Sequence, residues 1–394
     1  MANGSAIVIA SAARTPMGGF QGALSAVAAP KLGSAAIKAA LARASIDAEQ
    51  VDEVLMGCVL PAGLRQAPAR QAALGAELPL AAGATTVNKV CGSGMKTVMM
   101  AHDMLKAGSV NVAVAGGMES MTNAPYLLEK ARGGMRMGHG QVLDHMFFDG
   151  LEDAYTGGAM GTFAQATADQ YGITRQQMDD YALESLRRAN AAIEAGAFDD
   201  EITPVTIKTR KGEVVMSVDE QPGNARPDKI PALRPAFAKG GTITAANSSS
   251  ISDGAAAMVL TTEAYANANG MPILAKIVGH ASHAQDPSEF TIAPVGAMSK
   301  LLNQLEWHSD DVDLFEINEA FAMVTMLAMQ ELKLDHAKVN VHGGACALGH
   351  PIGCSGTRVL VTLLHALKQR KLKRGVASLC IGGGEATAVA IELV

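Results

Sequence analysis

The chain has 394 residues, enough for two or three domains with sizeable cores. Apolar residues make up 48% of it and charged residues 18%, a balance that predicts a folded globular protein and excludes a disordered one. The formal net charge of −6 argues against a general binder of nucleic acid or of anionic membranes, so we expect neither as a partner.

The start of the chain predicts a buried strand. Residues 1–16 lack a basic segment, and the apolar run from Ala6 to Ala13 ends at Arg14, so a strand is favoured over a signal peptide. The five cysteines stand at positions 58, 91, 346, 354 and 380. Their number is odd and no Cys-x-x-Cys pair occurs, so neither a disulfide framework nor a zinc site is indicated. We therefore expect a cytoplasmic protein in a reducing environment.

The first motif with reactive chemistry spans residues 88–96, Asn-Lys-Val-Cys-Gly-Ser-Gly-Met-Lys. A strand-like approach ends at Cys91 and a helical pattern follows. A cysteine at a helix start faces unpaired N–H groups and the positive end of the dipole, which favours the nucleophilic thiolate. A buried structural cysteine is the alternative. The Gly-Ser-Gly turn favours the nucleophile.

Residues from about 119 to 247 differ in composition from the rest and are richer in Gly, Met, Asp and Arg. Their clearest helix begins at Thr174, where Gln177 completes a capping box, and it ends near Gly196. We interpret this segment as an insertion that covers one side of the functional site.

Asn318 lies in the stretch 316–322, Glu-Ile-Asn-Glu-Ala-Phe-Ala, between a predicted strand over 312–317 and a helix that ends near Leu332. Taken alone, this asparagine is best explained as the N-cap of the helix. The alternative is that its amide holds a water or a carbonyl at the site.

His350 lies between Gly349 and Pro351 in the glycine-rich stretch 343–356. Such a loop restrains the backbone and can aim an imidazole, and a neutral histidine beside a cysteine can accept the thiol proton. Most histidines in turns are structural or solvated. The flanking glycines and the helix start that follows favour a catalytic role.

Cys380 ends a buried-strand pattern just before three glycines at 382–384. Buried strand cysteines are usually inert, but ligand sites form at the carboxyl ends of strands in α/β sheets. The backbone N–H groups of the glycines are suited to an oxyanion hole.

Two stretches recur at nearly one offset, which predicts a duplication. Residues 51–54 resemble 312–315, and Gly-Ser-Gly at 92–94 resembles Cys-Ser-Gly at 354–356. Each turn precedes a helical pattern and a β-branched run that ends in glycines. Because βα units are alike everywhere, chance is the alternative, but order and spacing also agree. Each half has the predicted order strand, helix, strand, helix, strand. The continuous apolar runs indicate strands that helices cover on both faces.

Together and in this order, the four motifs resemble the thiolase family. The resemblance runs from residues 14–16 to the last strand and includes 115–121 and 247–257. It implies an α/β thiolase fold of two duplicated βαβαβ-type halves packed together with an inserted loop domain. The divisions are 1–118 with 248–270 for the N-terminal half, 119–247 for the loop domain, and 271–394 for the C-terminal half.

The resemblance implies reversible Claisen condensation of two acetyl-CoA molecules to acetoacetyl-CoA and CoA. In that mechanism His350 activates Cys91, which becomes acylated, and Cys380 then removes an α-proton from the second acetyl-CoA. Asn318 positions a water that holds the thioester oxygen together with His350. The N–H groups of Cys91 and Gly382 hold the other oxyanion. CoA thioesters are substrates, and no metal or organic cofactor is expected.

The resemblance also implies which residues contact CoA. They are Leu151, Met160, Arg226, Leu233, Ala236, Phe237, Ala245, Ser249, Ala320 and Phe321. We further hypothesise that one or more basic residues of the insertion meet the CoA phosphates, although such a charge run is usually a solvated face. These are Lys208, Arg210, Lys211, Arg226, Lys229 and Arg234.

The chain departs from the family pattern at a few positions. Ala159 stands where members often have a histidine, which bears on one contact to the pantetheine arm. Glu385 follows the glycines, where it either raises the pKa of the catalytic base or, as we expect, points to solvent. Pro222 replaces the tyrosine of potassium-dependent members, so no potassium dependence is expected. At position 290 the chain has Phe, as do members of the family that take a 2-methyl-branched substrate.

Several alternatives stay open. Condensation or cleavage of short acyl groups is the favoured activity. The second candidate is degradative cleavage of longer or branched 3-ketoacyl-CoA. A ketoacyl synthase would use Cys-His-His, and a non-catalytic acyl-CoA-binding scaffold would not need Cys91, His350, Cys380 and Asn318 together. The resemblance also implies a homotetramer, a dimer of dimers, with residues near 120–145 as the contact between dimers.

Overall fold

The protein is represented by a computed structural model that describes residues 4–210 and 212–394. Lys211, one of the basic residues singled out above, lies outside the described residues. Within these two ranges, no helix has both the length and the apolar character needed to cross a bilayer.

The chain forms strands and helices in alternation. The strands are β1 Ile7–Arg14, β2 Gly18–Gly19, β3 Glu53–Gly57, β4 Gly83–Val87, β5 Val112–Ser120, β6 Tyr126–Leu127, β7 Leu143–Asp144, β8 Val205–Thr209, β9 Gly212–Met216, β10 Ser252–Thr262, β11 Ala275–Ala284, β12 Leu314–Ile317, β13 Arg374–Ile381 and β14 Glu385–Leu393. The helices are α1 Ala29–Ala44, α2 Pro68–Gly75, α3 Ser93–Ala107, α4 Met160–Gln170, α5 Arg175–Glu194, α6 Glu220–Asn224, α7 Glu263–Ala268, α8 Ala293–Leu305, α9 Ala322–Leu332, α10 Ala345–Leu348 and α11 Ile352–Arg370.

The main sheet has the order β12-β13-β14-β11-β1-β10-β5-β3-β4. Its two halves are hydrogen-bonded to each other where residues 7–9 of β1 pair with residues 275–277 of β11. Outward from this junction the strands β1, β10, β5 and β3 have the same directions as β11, β14, β13 and β12. The predicted α/β fold of two duplicated halves is therefore confirmed.

Helices cover the halves in layers. Helices α1 and α2 lie on the outer face of the N-terminal half, and α8 and α9 lie on the outer face of the C-terminal half. Helices α3 and α11 lie between the halves and contact strands of both. The first 16 residues of α11, from Ile352 to Leu367, are all buried, as expected for a helix enclosed by protein on every side. This middle layer brings the starts of α3 and α11 together.

The segment between β5 and β10 contains α4, α5 and the β8–β9 hairpin. Helix α5 confirms the predicted capping box, because the Thr174 side chain accepts a hydrogen bond from the Gln177 backbone N–H. Gly196 follows the helix with a φ of +68°, which glycine adopts without strain. The domain boundaries predicted from the sequence stay a prediction.

A buried guanidinium joins this segment to the first strand. Arg14 donates to Asp219 through Nη1 and Nη2 at 2.7 and 2.8 Å, and to Glu201 through Nε at 2.5 Å. Both carboxylates are buried. Removing one partner of such a buried pair is strongly destabilising, because it leaves an uncompensated charge.

Candidate active site

A cavity of about 380 Å³ lies where the starts of α3 and α11 meet the inserted segment. Cys91, His350 and Gly382 line it. So do eight of the ten residues predicted to contact CoA, namely Leu151, Met160, Ala236, Phe237, Ala245, Ser249, Ala320 and Phe321. Its walls are mostly apolar, with few polar groups among them, as is usual for a small-molecule site.

Cys91 is held on a rigid turn just before α3. The preceding Val90 has a φ of +45°, an uncommon conformation for a β-branched residue. Ser93 Oγ locks the turn, because it accepts from the Lys89 N–H at 2.8 Å and donates to the Val90 carbonyl at 2.6 Å. A side chain at Gly92 would collide with Ile381, so only glycine allows the close approach of these two loops.

The thiol of Cys91 is protonated at neutral pH. Burial raises the pKa of Cys91 to about 11, although the backbone N–H groups of Gly382 and of Cys91 itself act to lower it. The expected backbone N–H groups do favour the thiolate, but loss of hydration outweighs the two hydrogen bonds. Attack by this sulfur requires a base.

His350 is a neutral base of defined tautomer. Its Nδ1 lies 2.5 Å from Ser355 Oγ, and Ser355 Oγ donates its own hydrogen to the Pro351 carbonyl at 3.0 Å. The hydroxyl can therefore only accept from His350, which places the proton on Nδ1 and leaves the lone pair on Nε2. Burial, followed by the charge of Arg358, lowers the pKa of His350 to about 3.

Asn318 is not a helix cap. Helix α9 begins at Ala322 with Phe321 as its N-cap, so the capping interpretation is wrong. The amide nitrogen of Asn318 instead lies 3.5 Å from His350 Nε2, at the outer limit of a hydrogen bond. Its Oδ1 is buried and has no hydrogen-bond partner within the described residues. An acceptor in this state suits the alternative interpretation, in which Asn318 holds a water or a substrate group.

Cys380 is fully buried at the end of β13 and packs in an apolar cluster with Phe290 and Phe321, which line the cavity. Burial raises the pKa of Cys380 well above its ordinary value, and the charge of the nearby Cys91 sulfur raises it further. The effect of Cys91 on the pKa of Cys380 is consistent with two neighbouring sulfurs, since charges interact strongly only at short range. Cys91 and His350 thus line the cavity, and Cys380 lies behind its aromatic wall.

Two predicted CoA contacts lie away from the cavity. Arg226 is exposed just before a 3₁₀ turn over Pro227–Ala232. Leu233 is half-buried, and its carbonyl accepts from Arg175 Nη1 at 3.1 Å. The described basic residues of the insertion are all exposed: Lys208, Arg210, Arg226, Lys229 and Arg234. Their contact with CoA phosphates stays a prediction.

Glu385 forms an ion pair that the sequence did not predict. Its Oε2 contacts Lys89 Nζ, between the loop that carries Cys91 and the end of the glycine turn after Cys380. The side chain stays 36% exposed, so it meets solvent as expected while also binding a partner on the opposite half of the chain.

Sequence reasoning gave no role to Ser355 and Glu119. Ser355 occupies the position equivalent to Ser93 in the duplication, and that equivalence was a usable signal. Glu119 is buried and accepts from the backbone N–H groups of Val59 at 2.9 Å and Gly353 at 2.9 Å. Burial raises the pKa of Glu119 to about 7. This carboxyl fixes the start of α11, which follows His350.

Known proteins match this chain over almost its whole length. Residues 7–264 match the family model "Thiolase, N-terminal domain", and residues 271–393 match "Thiolase, C-terminal domain". An acetyl-CoA acetyltransferase of Cupriavidus necator is 50% identical over 98% of this chain and 99% of its own length. One of Escherichia coli is 51% identical over 98% of both chains.

Solved structures agree with these matches. The crystal structure of the Bacillus anthracis acetyl-CoA acetyltransferase superposes with a TM-score of 0.97 at 42% identity and covers 99% of both chains. That of the Acat5 thiolase from Ascaris suum in complex with coenzyme A superposes with a TM-score of 0.94 at 41% identity, covering 99% of this chain and 100% of that one.

Proposed function

The chain belongs to the thiolase family, and we propose that it is an acetyl-CoA acetyltransferase that condenses two acetyl-CoA to acetoacetyl-CoA and CoA, and catalyses the reverse reaction. Cys91 and His350 line one cavity, and Cys380 packs against two aromatic residues of its wall; this arrangement is the observation that carries the proposal. It supports an enzyme over an acyl-CoA-binding scaffold, which has no need of two thiols and a base in one place.

The first half-reaction transfers an acetyl group to Cys91. His350 Nε2 takes the thiol proton, and the sulfur attacks the thioester carbonyl. The N–H groups of Cys91 and Gly382, which already face the sulfur, receive the oxyanion. The carbon–sulfur bond to CoA then breaks, and the CoA sulfur takes the proton back from His350. One thioester replaces another, so the step is close to balanced in energy.

The second half-reaction forms the carbon–carbon bond. Cys380 first passes its thiol proton to His350 Nε2, and its thiolate then removes a proton from the methyl carbon of a second acetyl-CoA. The enolate oxygen accepts hydrogen bonds from the protonated Nε2 of His350 and from a water on Asn318. The carbanion attacks the acetyl group, the bond to Cys91 breaks, and the Cys91 sulfur takes the proton from His350, which leaves both cysteines as thiols.

The environment of Cys380 supports this order of steps. Its ionisation is opposed by burial and by the neighbouring Cys91 sulfur. Acetylated Cys91 cannot ionise, so the Cys380 thiolate forms without a second thiolate beside it in the condensation step.

The walls of the cavity support short acyl chains. Phe321 meets Phe237 and Phe290 edge to face, with ring centroids 6.3 and 6.5 Å apart. All three rings line the cavity and occupy space that a longer acyl chain would need.

Thiolysis assays test the proposal. With acetoacetyl-CoA, 2-methylacetoacetyl-CoA and a longer 3-ketoacyl-CoA as substrates, we expect the largest kcat/KM for acetoacetyl-CoA. A larger value for the longer substrate would favour the degradative alternative. Absence of thiolysis of all three would contradict the enzymatic assignment.

We also propose that the chain forms a homotetramer through the segment near residues 120–145. Large apolar side chains are exposed there and on the following turn, which is unusual for a monomer surface. They are Tyr126, Leu128, Met135, Met137, Val142, Phe147 and Phe148. Light scattering after size exclusion tests this, with a tetramer expected and a monomer contradicting it. The five free cysteines are consistent with the cytoplasmic setting that we propose.

A further inference from the structure

We propose that the ion pair between Lys89 and Glu385, called the clasp below, positions the two catalytic cysteine loops relative to each other for the condensation step. The inference rests on the proposed function, because it concerns the geometry of that same site. Lys89 and Glu385 act as positioning residues, since they act through the loops that carry Cys91 and Cys380.

The clasp joins the loop that carries Cys91 to the strand that follows the glycine turn after Cys380. Lys89 precedes Cys91 by two residues, and Glu385 opens β14 directly after the three glycines that follow Ile381. Lys89 Nζ contacts Glu385 Oε2, and both side chains are only partly exposed, by 21% and 36%.

Each end of the clasp is anchored to rigid backbone. The Lys89 N–H donates to Ser93 Oγ at 2.8 Å, at the start of α3. Glu385 pairs with Ile381 of β13 and with Ala284 of β11 in the sheet. A displacement of one side chain is therefore transmitted to the turn or strand that carries it.

The glycine turn between Cys380 and Glu385 needs such a restraint. Gly383 and Gly384 have φ values of +92° and +87°, and glycine is the residue with the greatest backbone freedom. Gly382 directs its N–H to the Cys91 sulfur, so its position affects the oxyanion hole. On the buried side the loops touch through Gly92 and Ile381. The clasp joins the loops on their more exposed side. The two contacts together therefore fix the distance between the Cys91 loop and the glycine turn.

The two half-reactions depend differently on this separation. Acetylation of Cys91 needs His350, the Cys91 sulfur and the N–H of Gly382. Condensation needs, in addition, the Cys380 sulfur within reach of the acetyl group on Cys91. A misplacement of about 1 Å between reacting groups costs about a hundredfold in rate. An ion pair this exposed adds little to the free energy of unfolding, so the loss should appear in catalysis rather than in stability.

The test measures both half-reactions in Lys89→Gln, in Glu385→Gln and in the swapped double variant Lys89→Glu with Glu385→Lys. Exchange of labelled CoA into acetyl-CoA reports acetylation of Cys91, and acetoacetyl-CoA formation reports the whole reaction. The matched control is Glu392→Gln, which removes an ion pair with Lys373 Nζ at 3.1 Å from the far end of β14.

We expect CoA exchange to fall modestly in both single variants, because the N–H of Gly382 shifts, while condensation falls about ten- to hundredfold further than exchange does. The swapped variant should regain most of the loss, and Glu392→Gln should change neither rate. Equal losses in both reactions, unchanged condensation, or a swapped variant no better than the singles would overturn the clasp. Failure of the proposed function looks different, because the unsubstituted protein would then show no exchange.

Discussion

The starts of α3 and α11 are equivalent parts of the duplication, but they present different reactive groups to one cavity. Each helix has a serine in its first turn that fixes the preceding loop: Ser93 holds the turn with Cys91, and Ser355 holds the loop with His350. The duplication thus supplies two rigid helix starts, and the residue in front of each decides whether it presents a nucleophile or a base.

The two helices can meet because a glycine follows each serine. A side chain at Gly94 would collide with the backbone of Thr357, and one at Gly356 would collide with Met95. Thr357 Oγ1 donates to the Gly94 carbonyl at 2.8 Å across this contact. The contact is a property of the pair of helices, so neither half could build the site alone.

The largest expected effect is a difference in activity between variants of two cysteines near these helix starts. Cys91 lines the cavity, whereas Cys354 of α11 is fully buried in the core. We expect Cys91→Ala to lower condensation by about four orders of magnitude or more, because no nucleophile remains. Cys354→Ala should keep the rate and lose about 1 kcal/mol of unfolding free energy. Equal activities of the two variants would contradict the assignment.

A second expectation concerns the pH dependence of alkylation. Since the pKa of Cys91 is raised to about 11, its thiolate fraction rises about tenfold per pH unit from 7 to 10. Iodoacetamide should therefore label Cys91 about a thousandfold faster at pH 10 than at pH 7. The pKa of His350 is lowered to about 3, so no step is expected near pH 6. A plateau above a step near pH 6 would instead indicate a thiolate–imidazolium pair.

The two serines should differ in effect when each is truncated. Ser355→Ala removes the acceptor that holds the His350 proton on Nδ1, and we expect kcat to fall about ten- to hundredfold, from a buried hydrogen bond worth about 1–3 kcal/mol. Ser93→Ala should reduce CoA exchange by about tenfold, because only the Cys91 turn loosens. Rescue by Ser355→Thr is the control, and unchanged kcat in Ser355→Ala would contradict the role.

The smallest expected effect is on stability. Gly356→Ala places a methyl group against the backbone of Met95, and overpacking of this kind costs about 1–3 kcal/mol. Gly108→Ala has open space around it but a φ of +72°, so its cost is backbone strain alone. Denaturant melts should show both losses, with reduced catalysis only in Gly356→Ala. Unchanged catalysis in both would show that the contact between helices is not needed for the site.

The fold could be predicted largely from the sequence, because the duplication leaves matching turns at 92–94 and 354–356. The sheet junction between β1 and β11 could not, since hydrogen bonds between distant strands leave no local pattern. The helix over 175–194 was predictable because its cap is local, formed by Thr174 and Gln177.

The site was predictable where glycines flank a reactive side chain, at Cys91, His350 and Cys380. Contacts between distant segments were not. Glu385 was expected in solvent because its partner Lys89 is 296 residues away. The upward shift of the pKa of Cys91 could not be predicted either, since a helix start is visible in the sequence whereas the degree of burial is not.

The most direct measurement is the intact mass of the chain after incubation with acetyl-CoA, followed by peptide mapping, for the unsubstituted protein and for Cys380→Ala. We predict that the unsubstituted protein and Cys380→Ala each gain one acetyl group, on Cys91. Only the unsubstituted protein should form acetoacetyl-CoA. A chain that gains no acetyl group, or gains it on a cysteine other than Cys91, would contradict this prediction.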